Sequence, residues 1–281
     1  MIHVEKIANI LELAVFSAYI KGEQPVSVLV TAPVEAGKTE LVLKFSQNDG
    51  CVALTDVTAF GIMRDYGQLI INRKVRHLII ADLVKPMSRG KDTVHTLIAF
   101  LNSLVEEGVL RISTYAEKIG APSQVIGSEV QPIPVKCGLI ATLAKDVLAN
   151  GRHHWARIGF MSRMLPVSYN YDINTQMEIH KSIAKREYTD EELIKLNLPT
   201  EDVEIQLESS QGDELLQLTA LLNSLTSDKS AEKVYGFRLQ KHLQRLAMAS
   251  ALKDGRDVVT QADVDYTRSL ASCINLEYYA I

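Results

Sequence analysis

The stretch Thr31-Ala32-Pro33-Val34-Glu35-Ala36-Gly37-Lys38-Thr39 decides the fold of this 281-residue chain. It follows a short apolar run over residues 26–30 and leads into a helix-prone run over residues 40–45. A strand, a tight loop and a Gly-Lys-Thr triplet at a helix start form the setting that a phosphate-binding loop requires. The alternative is a chance Gly-Lys-Thr on a surface turn, but the flanking strand and helix favour the phosphate loop.

The residue types in this loop have separate chemical tasks. Backbone N–H groups at a helix start, with the helix dipole behind them, favour a polyphosphate. We expect Lys38 to reach the β- and γ-phosphates of ATP and the hydroxyl of Thr39 to bind Mg²⁺. The usual pattern begins with glycine, where this chain has Ala32. The predicted nucleotide-binding residues of the loop are Pro33, Val34, Glu35, Ala36, Gly37, Lys38, Thr39 and Glu40.

An aspartate follows one of the predicted buried strands. The apolar run over residues 77–81 ends in Asp82. In open α/β sheets, ligands bind at the carboxyl ends of the strands. Asp82 is therefore predicted to meet the Mg²⁺ held by Thr39, with an acidic helix cap or turn as the alternative interpretation.

The residue after Asp82 bears on hydrolysis. ATPases with such a phosphate loop usually place a glutamate there, which orients the attacking water, but this chain has Leu83. A leucine cannot polarise water, so we expect hydrolysis to be slow or to use an acid from elsewhere. Glu35, inside the loop, and Asp56, after the second strand, are both candidates, and the sequence does not choose between them.

Apolar periodicity outlines the rest of the core. Between residues 120 and 135 we expect a β-hairpin or a long loop, inserted into the core. The strand over residues 136–142 ends in Thr142, which is predicted to lie beside the phosphates. The predicted helices cover residues 3–20, 58–72 and 92–107; the other predicted strands cover residues 51–56 and 110–115; a short helix and a last strand cover residues 158–169.

The composition changes after residue 187. Residues 187–213 are acidic and polar, which is typical of a linker, and three helical patterns follow it. The last helix begins with Thr260 and Asp263, a capping-box pattern. We expect an α/β P-loop fold: a three-layer α/β/α sandwich with a parallel central sheet over residues 1–187, a linker over residues 188–212, and a small C-terminal α-helical lid domain over residues 213–281.

Composition and cysteine usage indicate an ordinary cytoplasmic protein. Hydrophobic residues make up 47% and charged residues 23% of the chain, as in soluble globular proteins. No apolar run reaches the ~18 residues needed to span a bilayer, and the N-terminus lacks a signal-peptide layout. Cys51, Cys137 and Cys273 are far apart in sequence, which predicts neither a disulfide frame nor a zinc ribbon.

Charge and aromatic residues do not indicate a general nucleic-acid surface. The net charge of −4 argues against a uniformly basic coat, although it permits a local basic patch. Several tyrosines, among them Tyr169 and Tyr171, are interpreted as packing and edge residues rather than as a base-stacking platform.

The order of these motifs resembles the AAA+ ATPases over nearly the whole chain. A phosphate loop, an apolar strand ending in Asp, a polar-ended strand, an arginine before the last strand and a C-terminal helical lid occur in that order. Two segments are similar to the branch that contains the minichromosome-maintenance helicases. These segments are Ser162-Arg163-Met164 and Phe237-Arg238-Leu239-Gln240-Lys241-His242-Leu243, the latter followed by residues 255–264.

This resemblance implies further site residues and partners. Arg163 would be an arginine finger that reaches the γ-phosphate of a neighbouring subunit. Arg238 would be the sensor 2 arginine at the nucleotide phosphates, and Thr142 would stand at or next to sensor 1. The resemblance further implies ATP and Mg²⁺ as cofactors and a homo-oligomer, either a ring or a filament.

We carry forward an AAA+ ATPase that couples nucleotide state to remodelling of DNA or a DNA-bound partner. In this hypothesis Lys38, Asp82 and Arg163 are the catalytic residues, and Thr39 and Asp82 are the metal ligands. The alternative is a nucleotide-gated adaptor or loader that binds ATP with little or no hydrolysis, which Leu83 favours. A small-molecule P-loop kinase is a third possibility, against which the C-terminal helices argue.

Overall fold

The computed structural model describes residues 4–108, 123–126, 129–132, 134–150, 159–187, 193–224 and 236–276. Its centre is a five-stranded, all-parallel sheet. The strands, in chain order, are β1 (Val28–Ala32), β2 (Cys51–Leu54) and β3 (His77–Ile80), then β6 (Gly138–Ala144) and β7 (Leu165–Ser168), with a separate pair, β4 (Ser123–Ile126) and β5 (Glu129–Pro132), between β3 and β6. The predicted parallel sheet is confirmed.

The spatial order of the central sheet is β2-β3-β6-β1-β7. The first strand therefore lies between β6 and β7, with Val28 opposite Ile140 on one side and Leu165 on the other. β1, β3 and β6 are almost entirely buried and apolar, as expected for strands covered on both faces. Because β1 has a neighbouring strand on each side, the loop after it leaves from the middle of the edge that the carboxyl ends of the strands form.

Helices follow the strands in alternation, as in α/β proteins. The helix preceding β1 was predicted and is present, and the antiparallel β4–β5 pair confirms the hairpin interpretation of residues 120–135. The strand predicted over residues 110–115 lies outside the described residues. The named helices are α1 (Glu5–Ser17), α2 (Lys38–Leu43), α3 (Ala59–Ile71), α4 (Val84–Met87), α5 (Lys91–Asn102, continued by a π-helical turn over Ser103–Glu107), α6 (Ile173–Lys185), α7 (Ser209–Ser224), α8 (Phe237–Lys253) and α9 (Gln261–Leu270). Residues 145–150, directly after β6, are helical as well.

Residues 193–208, named the strap here, connect the sheet region to the C-terminal helices. The strap lies against the core: the N–H of Val203 donates to the carbonyl of Tyr19 (2.7 Å), and the N–H of Ile194 donates to the carbonyl of Lys44 (3.0 Å). Helix α7 then begins at Ser209, inside the segment predicted as a linker. The division of the chain into domains stays a prediction.

The three C-terminal helices pack on one another, and α8 and α9 also pack on α1. Two ion pairs join α8 to the region of α1, Lys253 with Glu12 (2.6 Å) and Arg245 with Glu23 (2.9 Å). The predicted capping box at Thr260 and Asp263 is present at the start of α9. In the part of the chain that the structure describes, no helix is both long and apolar enough to cross a bilayer.

Candidate nucleotide-binding site

The phosphate loop, residues 31–39, connects the end of β1 to α2. Two of its residues adopt left-handed backbone conformations, Glu35 (φ 64°) and Gly37 (φ 76°). Left-handed residues alternating with right-handed ones turn successive N–H groups toward a common point, which forms a concave anion site. Glycine adopts this conformation without a steric penalty, so Gly37 is suited to its position at the start of α2.

The Lys38 side chain folds back across this loop. Its ammonium donates hydrogen bonds to the carbonyl oxygens of Ala32 (3.0 Å) and Pro33 (2.6 Å). Partial burial lowers the pKa of Lys38, and the nearby negative charge of Asp82 opposes that shift. The ammonium group therefore lies within the loop and close to the carboxylate at the end of β3.

One carbonyl oxygen draws three of the predicted site residues together. The Ala81 carbonyl accepts hydrogen bonds from the hydroxyls of Thr39 (3.2 Å) and Thr142 (2.6 Å). Ala81 directly precedes Asp82, and the N–H of Leu83 donates to the Thr142 carbonyl (3.1 Å). Thr39, Thr142 and Asp82 therefore converge at the carboxyl edge of β3 and β6.

Asp82 also has the local role that the alternative interpretation gave it. Its Oδ1 accepts a hydrogen bond from the N–H of Val84 (2.9 Å) at the start of α4. A carboxylate has two oxygens and several lone pairs, so one such bond does not exhaust its capacity. A carboxylate and a hydroxyl are hard oxygen ligands of the kind that Mg²⁺ uses together with phosphate oxygens, and they fit this cofactor.

The candidates for a water-orienting acid differ in their surroundings. Leu83 is fully buried in the core, so its position faces away from solvent. Asp56 is ion-paired with Arg89 (2.6 Å), a partner that the sequence analysis did not identify. Glu35 is exposed on the phosphate loop.

Arg163 and Arg238 lie at the opposite edge of the sheet from the phosphate loop. Arg163 ends a 3₁₀ turn just before β7, whose first residue lies level with Val28, the first residue of β1. The loop begins beyond the other end of β1. A parallel strand rises about 3.3 Å per residue, so the two edges are on the order of 15 Å apart. Within one chain, the structure does not bring these arginines to the phosphate loop.

The two arginines instead form a cluster of their own. Arg238 donates to Glu106 (2.9 Å) and to the Ser162 hydroxyl (3.1 Å), and Arg163 donates to the Gly159 carbonyl (2.9 Å). Burial lowers the pKa of Arg163, and the positive charge of Arg238 lowers it further. The Nε of Arg163 is buried and finds no hydrogen-bond partner among the described residues. The cluster therefore holds two guanidinium groups close together beside the Glu106 carboxylate.

The fold of this chain also occurs among solved structures. The chain shares its fold with an MCM protein. The match is a full-length MCM homologue from Methanopyrus kandleri, with a TM-score of 0.54 and 12% sequence identity. The similarity covers 100% of this chain and 57% of the Methanopyrus kandleri protein. No protein-family model matches the sequence, and no characterised protein matches it by sequence similarity.

This similarity supports the predicted AAA+/MCM-like fold, and at this level of identity it shows the fold alone. The roles of the individual site residues and the C-terminal lid stay predictions. The sequence analysis missed a contact that the structure shows: the hydroxyls of Tyr169 and Tyr171 both donate to the Ala36 carbonyl in the phosphate loop. Their spacing after the last strand was the available signal, because alternate residues of an extended chain share a side.

Proposed function

We propose that this protein binds ATP and Mg²⁺ at the phosphate loop and works as an AAA+ ATP-binding protein. The observation that carries the proposal is the shared Ala81 carbonyl, which holds Thr39 and Thr142 beside Asp82 at the strand edge that Lys38 faces. These are the side chains that the phosphate-loop chemistry requires. The fold shared with the Methanopyrus kandleri MCM homologue supports the same proposal.

Each residue has a defined task in this proposal. Lys38 binds the β- and γ-phosphates in place of the carbonyl oxygens that it now contacts, and the loop N–H groups surround the same phosphates. Thr39 and Asp82 hold Mg²⁺, which neutralises phosphate charge when bound. Thr142 keeps the end of β6 fastened to the end of β3, so its hydroxyl is a fixed polar group beside the phosphates.

In the first candidate function the protein is an ATPase, which couples its nucleotide state to remodelling of DNA or of a DNA-bound protein. The second candidate function is a nucleotide-gated adaptor or loader with little or no hydrolysis. The buried Leu83 favours it, because no acid follows Asp82. The pairing of Asp56 with Arg89 also favours it, since that contact engages one of the two substitute acids.

We also propose that the protein acts as a homo-oligomer, either a ring or a filament. Arg163 and Arg238 lie at the edge of the sheet away from their own phosphate loop. A guanidinium group at that edge reaches a phosphate only if the phosphate belongs to a neighbouring subunit. Such an arrangement would make Arg163 an arginine finger in trans.

Equilibrium binding of ATP tests the nucleotide site. Lys38→Ala is expected to abolish detectable binding, whereas Lys85→Ala, which removes the same charge from the exposed surface of α4, leaves it unchanged. Asp82→Asn is expected to weaken binding in Mg²⁺ but not in EDTA. Wild-type affinity in the Lys38→Ala variant contradicts the proposed site.

Turnover and mass separate the two functional candidates. Steady-state hydrolysis, with and without DNA, that Asp82→Asn abolishes supports the ATPase. Tight ATP binding without turnover supports the gated adaptor. Size-exclusion chromatography with light scattering tests assembly: a protein that stays monomeric at high concentration with ATP contradicts the role proposed for Arg163.

A further inference from the structure

Two tyrosines hold the phosphate loop from outside. The hydroxyl of Tyr169 donates to the Ala36 carbonyl oxygen at 2.7 Å, and the hydroxyl of Tyr171 donates to the same oxygen at 3.2 Å. A carbonyl oxygen has two lone pairs and accepts both bonds. The two ring centroids lie 5.5 Å apart. Two side chains more than 130 positions from Ala36 in sequence thus meet at its carbonyl oxygen, in the peptide that joins Ala36 to Gly37.

The backbone after β7 explains this convergence. The chain continues past Ser168 beside β1, where the N–H of Tyr169 donates to the Thr31 carbonyl (3.3 Å). In an extended chain, alternate side chains point to the same side. Tyr169 and Tyr171 therefore both reach the loop, whereas Asn170 between them accepts a hydrogen bond from Lys145 (2.7 Å).

The surroundings keep the Tyr169 hydroxyl protonated and able to donate. Both tyrosines are partly buried against the core. Burial raises the pKa of Tyr169, and the adjacent Tyr171 raises it further. The hydroxyl of Tyr169 therefore remains a donor at every pH at which the protein is expected to work.

We propose that Tyr169 and Tyr171 are positioning residues, which hold the Ala36–Gly37 peptide in the orientation that binds the phosphates of ATP. A trans peptide is planar, and its C=O and N–H point in opposite directions. Two hydrogen bonds that fix the Ala36 carbonyl toward the tyrosines therefore fix the Gly37 N–H away from them. This inference rests on the proposed nucleotide-binding function.

Phosphate affinity provides the first test. Loss of both hydroxyls in Tyr169→Phe/Tyr171→Phe lowers the population of the binding-competent loop. The apparent Kd for ATP is therefore expected to rise about tenfold, because each lost hydrogen bond shifts that equilibrium several-fold. The Kd for inorganic tripolyphosphate is expected to rise by the same factor. Tyr19→Phe is the matched control, since its hydroxyl donates to the Asp49 carbonyl (3.1 Å) away from the loop, and it leaves both affinities unchanged.

A second readout does not depend on nucleotide. Ala36–Gly37 is the single Ala-Gly dipeptide of the sequence. Protein labelled with ¹³C-carbonyl alanine and ¹⁵N-glycine therefore gives one HNCO cross-peak from the Ala36–Gly37 peptide. Hydrogen bonds to the carbonyl oxygen draw electron density from the carbon, so the double variant is expected to move this signal upfield. Tyr169→Phe, which loses the shorter bond, moves it further than Tyr171→Phe, and Tyr19→Phe leaves it in place.

The outcomes separate this inference from the proposed function. Wild-type protein that binds neither ATP nor tripolyphosphate refutes the proposed function, while a moving cross-peak still supports the tyrosine contact with the loop. A stationary cross-peak in the double variant overturns the inference. So does a moving cross-peak with unchanged affinities when the wild type binds ATP. Weakened ATP binding with unchanged tripolyphosphate binding also overturns it, because the tyrosines then contact the base rather than orient the loop.

Discussion

The Asp202 carboxylate ties the strap to the core through three cations. It accepts hydrogen bonds from Arg76 (2.6 Å) and Arg73 (2.9 Å), and Lys136 lies 3.5 Å away. Both arginines also donate to the Ala18 carbonyl, and the Arg76 guanidinium stacks on the Tyr19 ring at 4.0 Å. Arg76 is only 10% exposed. Replacing Asp202 therefore leaves buried positive charge without its counter-ion.

The pKa of Asp202 indicates how much stability this contact supplies. Burial alone would raise this pKa, but the hydrogen bonds from Arg76 and Arg73 outweigh burial and lower it to about 2. A pKa of about 2 in the folded protein, against about 4 in the unfolded chain, is equivalent to about 2.5 kcal/mol. We expect Asp202→Asn to lower the free energy of unfolding by about 2–3 kcal/mol at pH 7. This is below the ~3–5 kcal/mol for fully buried pairs, because Asp202 is partly exposed.

The sign of the pH dependence follows from the lowered pKa. The folded state holds fewer protons on Asp202 than the unfolded state does. The stabilisation is therefore complete above the unfolded pKa of about 4 and is lost as the pH falls toward 2. The difference in the free energy of unfolding between the wild type and Asp202→Asn is expected to narrow by about half between pH 7 and pH 3.

Urea unfolding at pH 7, 5, 4 and 3 measures these differences. Glu204→Gln is the matched control: it removes a carboxylate from the same strap, but its ion pair with Lys21 is long (3.6 Å) and well exposed. Such pairs contribute about 0–1 kcal/mol. The reasoning is refuted if Asp202→Asn loses no more free energy of unfolding than the control does. It is also refuted if the difference in that free energy between the wild type and Asp202→Asn stays constant down to pH 3.

Three further predictions concern the core. Leu83→Glu is expected to lower stability by several kcal/mol without increasing ATP hydrolysis, since the position is fully buried and a carboxylate there lacks solvation; a stable, faster variant would contradict this. Gly138→Ala should cost about 1–3 kcal/mol in urea unfolding, because a Cβ there overlaps the His77 ring, and stability equal to wild type would disprove the contact. Burial lowers the pKa of His77 to about 4 and that of His242 to about 3, so both side chains are neutral in the folded protein at pH 7. The free energy of unfolding is therefore expected to fall as the pH drops from 6.5 toward 4, because the unfolded chain binds protons that the folded protein does not. Replacing His77 with Gln should flatten that fall.

Much of the candidate nucleotide site was predictable because its signals are local. The phosphate loop lies within nine consecutive residues, and Asp82 follows a strand whose apolar side chains are adjacent in sequence. Thr142 was predicted to end a core strand; β6 continues to Ala144, but the Thr142 hydroxyl does contact the end of β3 through the Ala81 carbonyl, since carboxyl ends of parallel strands share an edge. The capping box at Thr260 is similarly local. The individual roles of these residues stay predictions.

The domain boundary was harder to infer. An acidic, polar segment was interpreted as a linker, yet the strap carries Asp202, which pairs with Arg73 and Arg76 far away in sequence. Composition reports average solvation and does not reveal which single carboxylate finds a buried partner. The pairing becomes visible only when α3 and the strap are both in place.

By itself, the sequence determined the α/β class, the phosphate loop and the acid at the end of β3, because periodicity and turn chemistry act over a few residues. Only the tertiary structure decided the strand order β2-β3-β6-β1-β7, the edge on which Arg163 and Arg238 lie, and the contact of Tyr169 and Tyr171 with Ala36. Each depends on groups brought together across long stretches of chain. The physical reason is that a hydrogen bond is specified by the positions of both partners, and local pattern specifies only one of them.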